Sequence, residues 1–314
     1  MKPVLVILGT RPEAIKLWPV IEELKRRDVP YRVCSTMQQR DLLLPLIEEL
    51  ALKIHHDIPE PLGGGTLTEK LSKYIMRLSW IVGDASLVIV QGDTTTALAG
   101  ALAAFYAGVP IAHVEAGLRT YDLTAPFPEE GNRQMISRIA SLHFCPTDAN
   151  RDNLIEECAL PLDEDGGAFA VGNTVVDAVK RILCEELLEP IKREHDILVT
   201  FHRRESWVEA AQVARAIAGI THRYPVIWVR HANKNLQAMI DEAMFVYRFE
   251  HDREADVRFV EPMGYRAFLR ALCQAELVIT DSGGVVEECT TLGKPCLMLR
   301  NATERHEALD AGHK

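Results

Sequence analysis

Short apolar, β-branched runs alternate with longer segments of mixed polar and apolar positions along nearly the whole chain. The runs at 4–8 (VLVIL), 31–35, 87–91 (LVIVQ), 110–114, 142–145 and 168–171 read as strands of one sheet, and the stretches 13–27 and 94–106 have helical composition and length. Near Gly172-Asn173-Thr174 this series ends. After a charged, helix-like stretch at 177–192 a second series begins, with strands expected at 197–201, 226–230, 257–260, 277–280 and 295–299. Near-continuous apolar strands separated by helices are the pattern of parallel sheets with crossover helices, because both faces of each strand are covered. The expected fold is therefore α/β, with two Rossmann-like doubly wound domains, 1–171 and 172–314, facing a cleft. The stretch Pro59-Glu60-Pro61-Leu62-Gly63-Gly64-Gly65 cannot continue a helix and reads as a mobile turn before a helix at 67–81.

Composition narrows the partners. With 314 residues, 47% of them hydrophobic, the chain can bury a large core in about two domains, which excludes a disordered chain or a small disulfide scaffold. Lys and Arg number 35 against 45 Asp and Glu, a formal charge of -10, so neither nucleic acid nor an anionic membrane is an expected partner. An anionic ligand would need a local cluster of donors. The seven cysteines are scattered, with no C-x-x-C pair and no His at ligand spacing, so they read as buried thiols in a reducing cytosol and no metal site is expected. The apolar run before Arg11 is too short for a signal peptide. The long apolar stretch at 97–112 is broken by Gly108-Val109-Pro110 and followed by His113 and Glu115, which argues against a bilayer span. A cytoplasmic protein is the expectation.

Two strand ends carry anion-binding chemistry. The first strand runs into Gly9-Thr10-Arg11-Pro12-Glu13-Ala14-Ile15-Lys16, where Gly permits a tight turn and Pro12 suits a first helical turn. Free backbone N–H groups would point there toward the carboxyl edge of the sheet, with Arg11 and Lys16 as mobile positive charges. Late in the chain, Thr280-Asp281-Ser282-Gly283-Gly284 repeats the arrangement: Ser282 can cap a helix, Gly283 and Gly284 let a phosphate approach, and Glu288 can reach a ribose hydroxyl pair. Taken singly, either segment reads equally well as an ordinary βα turn.

Acidic residues gather at other strand ends of the first domain. Asp93 sits in QGDTTT, Glu115 in HVEAG, and Glu129 beside Glu130 in PFPEE. Carboxylates converging on one crevice would raise one another's proton affinity and suit acid/base work on a sugar carbon, whereas each alone reads as an N-cap or surface charge. His202, followed by Arg203 and Arg204, would place an imidazole at the edge of the second sheet, where it could steady a leaving phosphate or shuttle a proton. His231 is a weaker candidate at a similar edge, and Arg305 could clamp a phosphate. Met135, Met263 and Met298 read as packing residues.

The segments GTRPEAIK, QGDTTTALA, HVEAGLRT, PFPEEGNR, VGNTVVDA, TFHRRES, TDSGGVVEE, LGKP and TERHEA, in that order, resemble the non-hydrolysing UDP-N-acetylglucosamine 2-epimerases, which share a two-domain architecture with GT-B glycosyltransferases. The resemblance implies interconversion of UDP-GlcNAc and UDP-ManNAc for bacterial surface polysaccharide, with no metal or nicotinamide cofactor and usually as a homodimer. It implies that Asp93, Glu115 and Glu129 are the acid/base carboxylates, without saying which takes the C2 proton. Arg11, His202 and Arg305 match groups that hold or stabilise the departing UDP, and Lys16 matches a substrate-binding lysine. Ser282, Gly283 and Gly284 match the phosphate-binding turn, Glu288 the ribose ligand and Phe268 a residue beside the uracil, with Arg133 in support.

Departures from the family pattern are Gln38-Gln39-Arg40 for Gln-His-Arg and Gly65 for Gln, both at positions of an effector site in some members. Phe201, Met263, Val286 and His306 also differ. Family members continue past Lys314 into closing helices, which this chain is expected to lack. A hydrolysing relative, a diacetamido-sugar epimerase and a non-catalytic UDP-sugar binder remain alternative readings.

Overall fold

The computed structural model of the protein describes residues 2–58, 65–158, 167–186, 195–201, 207, 209–231, 233–252 and 255–299. Two compact units emerge, Met1–Ala178 and Val179–Lys314. The first contains β1 (Val4–Leu8), α1 (Arg11–Arg26), β2 (Tyr31–Ser35), α2 (Arg40–Glu49), β3 (His56–Asp57), α3 (Leu67–Val82), β4 (Leu87–Gln91), α4 (Thr95–Tyr106), β5 (Ile111–Val114), α5 (Glu129–Ile139), β6 (Leu142–Cys145), α6 (Asp148–Cys158) and β7 (Gly167–Ala170). The division between the units falls inside α7 (Thr174–Glu186), whose Val175, Ala178, Val179 and Ile182 are all buried. The second unit goes on with β8 (His195–Thr200), α8 (Ala210–Ile220), β9 (Val226–Val229), α9 (Lys234–His251), β10 (Val257–Val260), α10 (Tyr265–Gln274), β11 (Ala275–Thr280), α11 (Gly283–Leu292) and β12 (Cys296–Met298).

Each unit is built on a parallel sheet. In the first the strand order is β3-β2-β1-β4-β5-β6-β7, and in the second β10-β9-β8-β11-β12. In both, the order reverses beside the first strand, between β1 and β4 and between β8 and β11. The helices that follow those strands diverge there, leaving room at the carboxyl ends. The expected strands recur with ends moved by a residue or two; β11, for example, begins at Ala275 rather than 277. The strand that periodicity did not announce is β3, only two residues long and held by the register Cys34↔His56 and Ser35↔Asp57. Of the expected turn at 59–65, all but Gly65 lies outside the described residues.

The apolar stretch read at 97–112 becomes α4 and β5. Thr95 to Ala101, Ala103 and Ala104 are buried almost all round the helix, because α4 packs against α3, α5, β1 and β4. Gly100 allows that approach: a Cβ there would meet Ile7 Cδ1 and Val90 Cγ1, each at 3.0 Å. Among the described residues no helix is long and apolar enough to cross a membrane. The expectation of buried thiols holds for Cys34, Cys145, Cys289 and Cys296, but Cys184 is exposed and Cys273 half-buried. Cys184 shares the outer face of α7 with Lys180 and Arg181, which apolar patterning of the helix as a whole does not reveal.

Candidate active site

At the switch point of the first sheet, β1 enters α1 through Gly9 and Thr10. Thr10 is the N-cap of α1 and forms a capping box with Glu13, and Pro12 fills the first turn as expected. Gly9 has no room for a side chain, since a Cβ would lie 2.1 Å from Thr36 Oγ1 and 2.3 Å from Thr96 Oγ1. Those two hydroxyls bond each other at 2.6 Å, so β2 and α4 close on the turn from either side. Arg11, half-buried at the start of α1, has its backbone N–H near Gln39 Oε1 at 3.3 Å.

Lys16 is not the mobile charge expected from the sequence. One turn into α1 it faces the sheet, and its Nζ lies 2.5 Å from Glu115 Oε2, with side-chain exposures of 7% and 4%. Gln91, the last residue of β4, donates its Nε2 to the same oxygen. Glu115 follows β5 with φ 63, a left-handed conformation that a non-glycine residue adopts at some cost and that recurs at functional sites. Its carboxylate is thus fixed between an ammonium and an amide.

Asp93 lies in the β4–α4 turn and is held by α5. Arg133 Nη2 donates to Asp93 Oδ2 at 2.5 Å, and Asn132 Nδ2 donates to the Asp93 carbonyl at 2.8 Å. Glu129, half-buried at the start of α5, stands one turn before Arg133, a spacing that puts both on one helix face. Its neighbour Glu130 has a different job. Fully buried, it accepts the backbone N–H groups of Thr120 and Tyr121 and the Gln134 amide, with Arg133 Nη1 at 3.3 Å. Burial pushes its carboxyl up, but these donors outweigh burial and hold it below the usual range. Asp93 and Glu115 each face a cation, because α5 and α1 supply Arg133 and Lys16 at the strand ends.

One residue that sequence reasoning passed over is Glu13. Fully buried, its Oε2 accepts the N–H groups of Gly9 and Thr10 and the Thr10 hydroxyl at 3.0, 2.7 and 2.7 Å. Its Oε1 accepts the hydroxyl of Thr94, the N-cap of α4, at 2.7 Å. One carboxyl therefore ties the Arg11 turn to the Asp93 turn. The T-x-x-E spacing of a capping box was visible in the chain; the bond to Thr94 was not. Burial pushes the Glu13 carboxyl up to about 7, against the pull of the Thr94, Thr10 and Gly9 donors. A carboxyl raised on folding binds protons more tightly in the native state. Its stabilisation is then complete below the ordinary value of 4.5 and is lost as pH rises through about 7. Melting temperature should thus fall more steeply from pH 5 to 7.5 in the wild type than in Glu13→Gln; parallel curves would contradict this titration.

The second unit repeats the switch-point arrangement where β11 meets α11. Thr200 and Thr280 bond through their hydroxyls at 2.7 Å across β8 and β11. Ser282 stands at the N-cap of α11, but its side chain makes no capping bond, contrary to expectation; its backbone N–H donates to Thr280 Oγ1 instead. The Thr280 hydroxyl draws the turn back toward the strand. Gly283 and Gly284 open the helix, and a Cβ on Gly284 would meet only Ser282 Oγ at 3.9 Å, so packing does not require this glycine. Glu288 is buried on α11, and Phe268 is buried on α10, which packs against α11. His231 Nδ1 accepts the Asn233 N–H at the start of α9. His202 and Arg305 lie outside the described residues. Among the described residues no cluster of His, Cys, Asp or Glu could hold a metal.

A family profile described as UDP-N-acetylglucosamine 2-epimerase matches residues 22–314. The chain belongs to the UDP-N-acetylglucosamine 2-epimerase family, a family of isomerases. The Bacillus subtilis UDP-N-acetylglucosamine 2-epimerase is 37% identical over 320 residues, covering 98% of this chain and 81% of its own. The UDP-GlcNAc 2-epimerase of Neisseria meningitidis, solved bound to UDP-GlcNAc, superposes with a TM-score of 0.85 at 34% identity, covering 99% of this chain and 86% of that one. The Methanocaldococcus jannaschii UDP-GlcNAc 2-epimerase, solved with UDP-GlcNAc and UDP, gives 0.79 at 32% identity over 98% of this chain and 86% of that one. Of the segments that resemble this family, GTRPEAIK follows β1, QGDTTTALA, HVEAGLRT and TDSGGVVEE span the ends of β4, β5 and β11, and PFPEEGNR leads into α5.

Proposed function

We propose that the protein interconverts UDP-GlcNAc and UDP-ManNAc without releasing free sugar. The reading rests on family membership together with one arrangement: carboxylates at the β4 and β5 ends, each steadied by its own cation, on the same sheet as the turn that carries Arg11. The C2 hydrogen of the sugar is too weakly acidic for simple removal. One carboxylate of Asp93, Glu115 and Glu129 takes that proton as the C1–O bond to UDP breaks, leaving a C1=C2 double bond in 2-acetamidoglucal. A UDP phosphate oxygen then re-adds to C1 while a proton reaches C2 from the opposite face. Keeping both fragments bound makes re-addition effectively unimolecular.

In this reading residues 1–171 supply the acid/base groups and residues 172–314 the nucleotide ligands. The amides at Ser282, Gly283 and Gly284 take the diphosphate at a helix N-terminus, Glu288 the ribose and Phe268 the base side. Arg11, His202 and Arg305 hold or stabilise UDP as it departs, Lys16 serves as a substrate-binding lysine and Arg133 is in support. The chemistry is proton transfer and phosphate departure, so it calls for no nicotinamide or metal. The product would serve bacterial surface polysaccharide in the cytoplasm. A homodimer fits the exposed Met76, Trp80, Phe105 and Tyr106 on the packed helices α3 and α4, which a second copy would cover. Incubation with UDP-GlcNAc alone should yield UDP-ManNAc by NMR. Free N-acetylmannosamine and UDP would instead make it a hydrolysing enzyme.

A further inference from the structure

His113 is fully buried in β5, on a strand where a hydrocarbon would fill the space without desolvating an imidazole. Among the described residues the ring makes one hydrogen bond, between Nε2 and the Gly92 carbonyl at 2.7 Å. A carbonyl only accepts, so Nε2 carries the hydrogen and the neutral tautomer is fixed. Nδ1 has no partner among the described residues. Burial keeps the ring neutral, holding its proton affinity down at about 3 despite the Gly92 bond. The same strand end grips Gly92 a second time, since the Gly92 N–H donates to the Val114 carbonyl at 2.9 Å. Gly92 has φ 68, and a Cβ there would meet nothing within 4 Å, so the turn needs its conformation rather than its small size. The next residue is Asp93, and two residues past His113 is Glu115.

We infer that His113 is a positioning residue: its Nε2–H, donated to the Gly92 carbonyl, fixes the turn that carries Asp93 relative to the strand end that carries Glu115. This rests on the proposed acid/base role of Asp93. The side chains of Asp93 and Glu115 are held by α5 and α1, while the end of β5 holds the Gly92 backbone on both sides of its Cα, its N–H through the Val114 carbonyl and its carbonyl through His113.

The test compares wild type, His113→Leu and His113→Gln in steady-state turnover of UDP-GlcNAc, with circular dichroism to establish folding. Leu fills the space and removes the donor; Gln can present an amide N–H at the Nε2 position. Expected for Leu is a fall in kcat of about 10–100-fold, the usual penalty for losing a supporting hydrogen bond, with KM little changed. Gln should restore most of that loss. A folded Leu variant with wild-type kcat, or a folded Gln variant as slow as Leu, would overturn the inference. Imidazole nitrogen NMR of the wild-type protein gives a second readout should Leu fail to fold. A neutral Nε2–H tautomer that does not titrate between pH 5 and 8 is expected, and an Nδ1–H tautomer would overturn it. A wild-type chain that turns over no UDP-GlcNAc would remove the proposed function instead, and the imidazole spectrum would still decide whether His113 holds Gly92.

Discussion

Asp93→Asn should lower proton exchange at C2 by about 10²–10⁴-fold, the usual worth of a positioned acid or base, while UDP affinity stays largely intact. The substitution separates two roles. Asparagine keeps an oxygen for Arg133 Nη2 and leaves the backbone carbonyl for Asn132, so the α5 contacts to the β4–α4 turn survive. What it loses is the ability to take up a proton. Glu129→Gln should behave alike, since Glu129 stands one turn before Arg133 on the same helix face. Measured as deuterium wash-in at C2 beside calorimetric UDP titration, the two effects should part. Loss of UDP binding with unchanged exchange per bound substrate would show Asp93 to be a structural ligand of Arg133.

Lys16→Met should cost about 3–5 kcal/mol of folding stability, because it removes the cation of a buried ion pair. Glu115 Oε2 would keep only the Gln91 amide from this pair of donors, in surroundings that expose 4% of its side chain. Solvation cannot replace the ammonium there. Urea unfolding of Lys16→Met, Glu115→Gln and the double variant closes a thermodynamic cycle. The double variant should regain much of what Lys16→Met loses, since a neutral amide needs no counter-charge. Additive losses would show that the two groups do not share their energy.

The architecture could be read from the chain because a parallel sheet covered on both faces writes its strands as plain apolar runs, as in β1 and β4. The motifs at strand ends were legible for a related reason. Gly9, Gly92 and Gly283 punctuate the passage from strand to helix, and the chemistry of a doubly wound sheet collects there. What could not be read was set by contacts far apart in sequence. Glu129 and Glu130 are chemically identical neighbours, and only the fold shows Glu130 consumed by the Thr120 and Tyr121 amides. Lys16 looked mobile until the packing of α1 placed it against Glu115, which lies 99 residues away. Ser282 had the chemistry of a cap, yet the Thr280 hydroxyl took its backbone instead. Glu13 announced its capping box by spacing alone, while its bond to Thr94 required β1 and β4 to be neighbours.

The most direct measurement is NMR of the sugar after incubating the protein with UDP-GlcNAc in deuterated water and no added cofactor. The account predicts UDP-GlcNAc and UDP-ManNAc both bearing deuterium at C2, with the bond to UDP intact in each. UDP-ManNAc formed with its original C2 hydrogen would mean that no enzyme carboxylate exchanges that proton with solvent, and the account would be wrong.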